Sequence, residues 1–133
     1  CAACMLRRMS VHGAGLSEPA ERYVWTDLSA TTFESGAAPS YRDKNKITRA
    51  SREYAIAGAL HLDHMASLSD AAAESGALDL AASQLALALG LTRDTARQQL
   101  GRLLQQHRTE WEGFMGSLGP NSFVADWAMR GRS

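Results

Sequence analysis

At 133 residues the chain has the length of one ordinary domain, and two independently stable domains are not expected from it. Hydrophobic types make up 45% and charged types 21%, with three prolines in all, which excludes a disordered or low-complexity chain. Fourteen Lys and Arg balance fourteen Asp and Glu, so no global field draws the chain to nucleic acid and any such binding must come from local clustering.

Alanine and leucine dominate the apolar set and both favour helix over strand, so the expected fold class is all-α. No run approaches about eighteen apolar residues, and the amino terminus lacks the ordered basic, apolar and small-residue regions of a secretory signal. The expectation is a soluble, cytoplasmic protein: an irregular arm over residues 1–46, then a compact helical domain over 47–133. The first residue is not Met, which leaves open that the sequence belongs to a longer or processed protein.

In the arm, "CAACMLRRMSVHG" has the composition of a short helix. Cys1 and Cys4 are the only cysteines. Their spacing suits a redox pair or half a zinc site, but neither a βαβ context nor two further ligands is evident, so inert thiols are expected. "RYVWTDLSATTF" reads as a short strand or a packed arm, and "ESGAAPSYRDKNK" as a loop punctuated by Gly36 and Pro39. The basic cluster Arg42, Lys44, Lys46, Arg49 and Arg52, interrupted by Asp43 and Glu53, reads as a solvated segment.

The spacing predicts a helix over 48–68 capped by Thr48, with Ala50, Tyr54, Ala57, His61, Met65 and Leu68 on one face and Ile56 and Leu60 on a second apolar line. A short helix over 69–75 capped by Ser69 follows, closed by Gly76. The next helix runs from about Leu80 to Leu89, with Asp79 or Ser83 at its start. Gly90 makes a turn, and Thr92 caps a helix from Arg93 to about His107. Two short aromatic helices complete the chain, one with Trp111, Phe114, Met115 and Leu118, the other with Phe123, Val124 and Trp127.

"SQLALALGLTRDTARQQLGRLLQ" carries the most information. Leu85 and Leu89 lie four apart, and the small Ala86 between them allows a second helix to cross closely. Gly90 can take a left-handed conformation at no side-chain cost and end the first helix. Leu91 plugs the angle, the Thr92 hydroxyl caps the second helix, and Ala96, Leu100 and Leu103 repeat on its buried side.

This order, over residues 80–105, resembles the helix-turn-helix of bacterial transcription regulators, most nearly the carboxy-terminal DNA-binding domain of the catabolite-activator family. "LTRDTARQQLGRL" is similar to that family's turn and recognition helix, with Thr92, Arg93 and Thr95 at its hydroxyl, Arg and Thr positions. The resemblance implies that the second helix enters a major groove of double-stranded DNA and that the chain works as a homodimer. Gln99 stands where the motif has an apolar residue, Ala96 is smaller than the usual Val or Ile, and "HRTEWEGFMGSLGPNSF" lacks strand alternation, so a wingless, all-helical version is expected.

Between Ser83 and Arg108 the basic residues are Arg93, Arg97, Arg102 and Arg108 against Asp94 alone, a formal +3 that leaves −3 elsewhere. Arg93 and Arg97 share a helical face and suit a guanine edge or a phosphate. Thr95 and Gln98 add hydrogen bonds, Gln98 to adenine. Asp94 either accepts from cytosine or favours the helix start, and Arg102 suits a phosphate. The competing reading is a helical protein-protein interaction module whose arginines merely keep a surface soluble.

Catalysis is the third class. "HLDH" places His61 and His64 on one face with Asp63 pointing elsewhere, and two ligands make no stable metal site; a structural or surface role is expected. His107 sits near an expected helix end, and His12 has no readable partner. The chain lacks a phosphate-cradling glycine loop, a serine elbow and a zinc-protease helix motif, leaving Cys1 or the His61/His64 pair as the enzyme alternative. The sequence calls for no cofactor and no metal.

Overall fold

The computed structural model describes residues 2–44 and 46–132, with backbone only at residues 2 and 71–75. Cys1, named in the enzyme alternative, lies outside the described residues. The fold is all-α: α1 (Ala2–Gly13), a 3-10 turn at Ala20–Arg22, α2 (Pro39–Arg42), α3 (Arg49–Ser75), α4 (Ala77–Leu89), α5 (Arg93–Leu118) and α6 (Phe123–Gly131). Among the described residues the only extended pairing is an isolated bridge between Trp25 and Ala37. No helix among them is long and apolar enough to cross a membrane. The chain divides into two compact units, Cys1–Asp63 with Glu110–Ser133, and His64–Thr109.

The first unit is built on aromatic rings. Met5 and Met9, four apart on α1, are buried. The segment "RYVWTDLSATTF" is a packed arm with no strand. Trp25 stacks on Phe33 with ring centroids 4.4 Å apart, and its indole N–H donates to the Phe33 carbonyl at 2.7 Å. Phe33 in turn meets the edge of Phe123 at 5.6 Å. Ring contacts of this kind bind an irregular segment that has few backbone bonds of its own. Gly36 is obligatory here, since a Cβ would stand 2.3 Å from the Asp27 carbonyl oxygen. Ser122, fully buried, caps α6 by accepting from the Ala125 amide at 3.0 Å.

Asp63 is the buried charge of this unit. Its carboxylate accepts from the Trp111 indole N–H at 2.9 Å and from Arg132 through Nε at 2.9 Å and Nη2 at 2.6 Å. A buried carboxylate is tolerable only when paired and hydrogen-bonded in this way.

Two expected helix boundaries are absent. The helices expected at 48–68 and 69–75 are one helix, α3: Thr48 caps it through the Ser51 amide at 3.1 Å, and Ser69, the expected second cap, lies inside it. The Ser69 hydroxyl donates back to the Ala66 carbonyl at 3.4 Å, which lets serine sit mid-helix. Likewise the helix expected to stop near His107 continues to Leu118, so His107 is interior and caps no helix end. Thr109 bonds back to the Gln105 carbonyl at 3.0 Å, and nothing before Gly119 breaks the run.

The buried side of α3 is also displaced from the expected one. Ala55, Ala59, Leu62 and Ala66 are buried, whereas Tyr54 is 70% exposed and Ala50, Ala57 and His61 face solvent. With alanine on both faces, apolar spacing alone carries little phase information.

Candidate functional site

The second unit holds the end of α3, α4 and the start of α5. Its core cluster consists of Ala82, Ala86 and Ala96, with Leu85 packed against it. Three alanines leave nothing longer than a methyl between helices, so α4 and α5 approach closely at this point.

The turn between them is a glycine-terminated helix end. Gly90 adopts φ 66° and ψ 29°, and the amides of Gly90 and Leu91 both donate to the Ala86 carbonyl, the latter at 3.0 Å. The Leu91 amide thus wraps back onto a carbonyl of the last turn of α4 beside the Gly90 amide, as left-handed glycine helix ends allow. Thr92 then starts α5: its hydroxyl oxygen accepts from the Thr95 amide at 3.2 Å and donates to the Thr95 hydroxyl at 2.8 Å. Helix α4 begins at Ala77 after a left-handed Gly76 and has no side-chain cap, so neither Asp79 nor Ser83 caps it. Asp79 instead sits in its first turn, and Ser83 bonds back to the Asp79 carbonyl at 2.8 Å.

Arg93, Asp94, Arg97, Gln98 and Arg102 are all exposed on α5, and Thr95 is half-buried beside its cap. Four-residue steps join Arg93 to Arg97 and Asp94 to Gln98 and Arg102, two exposed rows that form a broad strip whose edges, Arg93 and Arg102, lie nine residues and half a turn apart around α5. Gly101 adjoins it with no atom within 4 Å of where a Cβ would stand. The buried side differs from the expected one at its far end. Ala96 is fully buried and Leu100 half-buried, but Leu103 is 63% exposed and Leu104 is the buried residue. On α4, Leu89 is exposed and Leu87 is 89% exposed.

The electrostatics of the strip come from residues outside the basic window. Asp79 on α4 accepts from Arg97 Nε at 2.7 Å and lies 3.9 Å from Arg93 Nη2, while both arginine side chains stay at least half exposed. Arg108 pairs with Asp70 at 2.6 Å. Counted over His64–Thr109, four arginines are matched in number by four acids, Asp70, Glu74, Asp79 and Asp94, so the formal +3 of the window is cancelled within its own unit. Arg102 makes no ion pair among the described residues and is the open cation of the strip.

His61 and His64 are exposed, and Asp63 is turned to Trp111 and Arg132. Among the described residues no group of three or more His, Cys, Asp or Glu side chains could hold a metal ion. Sequence reasoning missed Asp79 as the partner of the arginines; its position four residues before Ser83 in an expected first turn was the only available signal.

The chain matches no protein-family model, no curated protein and no solved structure.

Proposed function

We propose that the chain binds double-stranded DNA selectively through the outer strip of α5, as a small, wingless helix-turn-helix transcription regulator. The observation that supports this reading best is the alanine contact under a left-handed Gly90, which leaves Arg93, Arg97, Gln98 and Arg102 all exposed on one helix. In this reading Arg102 takes a backbone phosphate, and Arg93 and Arg97 exchange Asp79 for phosphate or a guanine edge. Exposed ion pairs are worth only about 0–1 kcal/mol, so a polyanion displaces them readily. One such helix contacts few base pairs; a cytoplasmic homodimer presenting two of them about one DNA turn apart is the working form proposed.

Selection from random duplexes, followed by titration over a salt series, tests the reading. The native chain should bind with an affinity that falls with salt, by a slope of about −0.9 per phosphate contacted. Arg93→Ala/Arg97→Ala should weaken binding and flatten that slope. A folded double variant with unchanged affinity would remove α5 as the reading face.

A second reading rests on Leu80 and Leu87, exposed and seven residues apart on α4. They fit a protein-protein contact, either a second copy or a further protein partner. Leu87→Glu should then abolish association in sedimentation while leaving the helical content intact.

A further inference from the structure

The aromatic unit contains a cavity of about 420 Å³. Its inner wall includes the buried side chains of Met5, Leu28, Phe33, Ala55 and Phe123, and its lip includes Val24 and Tyr54, two apolar groups left exposed. That volume falls in the range of about 300–1,000 Å³ typical of pockets for small organic ligands.

The charge on its wall has one sign. Arg8 and Arg22 line it, and no Asp, Glu, Lys or His does among the described residues. Arg22 reaches outward, 3.7 Å from Glu18, a carboxylate that is also taken up by Arg7 and the Tyr23 hydroxyl. Arg8 is different. It is half-buried, lies over the Tyr23 ring at 5.1 Å, and donates through Nη1 to the Trp25 carbonyl at 2.8 Å. It forms no ion pair among the described residues, and burial pushes its pKa down against the pull of its neighbours. The carbonyls of Trp25 and Thr26 occupy only part of a five-donor guanidinium, and a neutral carbonyl does not balance its charge.

We propose that this cavity is a binding site for a small amphipathic carboxylate, its apolar body against the Phe33 and Phe123 rings and its carboxylate on Arg8. An aromatic wall beside a partly desolvated guanidinium that feels Asp27 only through space and has no contact ion pair discriminates by charge as well as by size: apolar burial holds either an acid or its alcohol, and only the acid completes a contact charge pair. The site does not depend on DNA binding, and neither reading stands or falls with the other.

Titration calorimetry on the full chain with 2-naphthoate and its neutral analogue 2-naphthylmethanol tests the proposal. The acid should bind about tenfold or more tightly than the alcohol and raise the unfolding temperature. Arg8→Met should bring the acid down to the alcohol's affinity without changing the alcohol's, Arg8→Lys should restore part of the difference, and Ala50→Trp at the lip should weaken both. Equal affinities for acid and alcohol, or binding of neither, would overturn the proposal on the native chain alone, whether or not Arg8→Met folds. Undiminished acid binding in a folded Arg8→Met would overturn it too.

Discussion

All nine aromatic residues of the chain lie in residues 1–63 and 110–133, and none lies in 64–109. One unit is therefore held by large rings, with Trp111 on a buried carboxylate, the other by a contact of alanines that Leu85 packs against, with Leu80, Leu87, Leu89 and Leu103 left exposed. Large rings supply apolar area and can enclose a cavity. Alanines supply little area but permit backbones to approach, so they set the angle of a helix pair more than its stability. The two regions place the two proposed sites accordingly: a small-molecule pocket where the rings are, and an outward reading face where the helices cross closely.

The contrast breaks first at Trp111. It is 1% exposed and its indole donates to Asp63, so Trp111→Ala removes a large ring and strips a partner from a buried carboxylate. The expected loss is about 3–5 kcal/mol in urea unfolding, with the near-ultraviolet circular dichroism of the aromatic unit collapsing. A loss under about 1 kcal/mol would mean that the rings do not carry that unit's stability.

A smaller effect is expected at the alanine contact, with the opposite physical cause. Ala96→Leu inserts a side chain where there is room for a methyl, and overpacking of this kind costs about 1–3 kcal/mol. Amide hydrogen exchange along α4 and the start of α5 should accelerate. A neutral substitution would show that the helices are not in close contact at Ala96, and the basis for the projecting strip would go with it.

The same contrast explains what could be read from the sequence. Backbone-directed signals were legible: Gly90 ends α4, Thr48 and Thr92 cap α3 and α5, and each acts through its immediate neighbours. Helix continuity through Ser69 and His107 was not, because a serine or a short polar stretch stops a helix only when the following turn offers the backbone something better. Alanine-rich phase was illegible for a simpler reason, since Ala50 and Ala59 look alike and lie on opposite sides of α3. The cavity draws its wall from α1, the arm, α3 and α6, a convergence that no local pattern encodes. The pairing of Asp79 with Arg97 joins two different helices, and Asp79, in the first turn of α4, lies outside the window in which charge was counted.

That pairing gives the smallest and most discriminating test. Asp79→Asn removes the anion facing Arg97 and Arg93, and it also removes a negative charge from the first turn of α4, where the helix dipole favours one. Thermal stability should therefore fall, by up to about 1 kcal/mol. Duplex affinity should move the other way and rise about two- to fivefold at low salt, because two guanidinium groups no longer exchange a protein partner for a phosphate. A merely structural Asp79 would lower both quantities together, and a strip that never meets DNA would leave affinity unmoved. Stability and affinity changing in opposite directions is the outcome that ties Asp79 to the reading face.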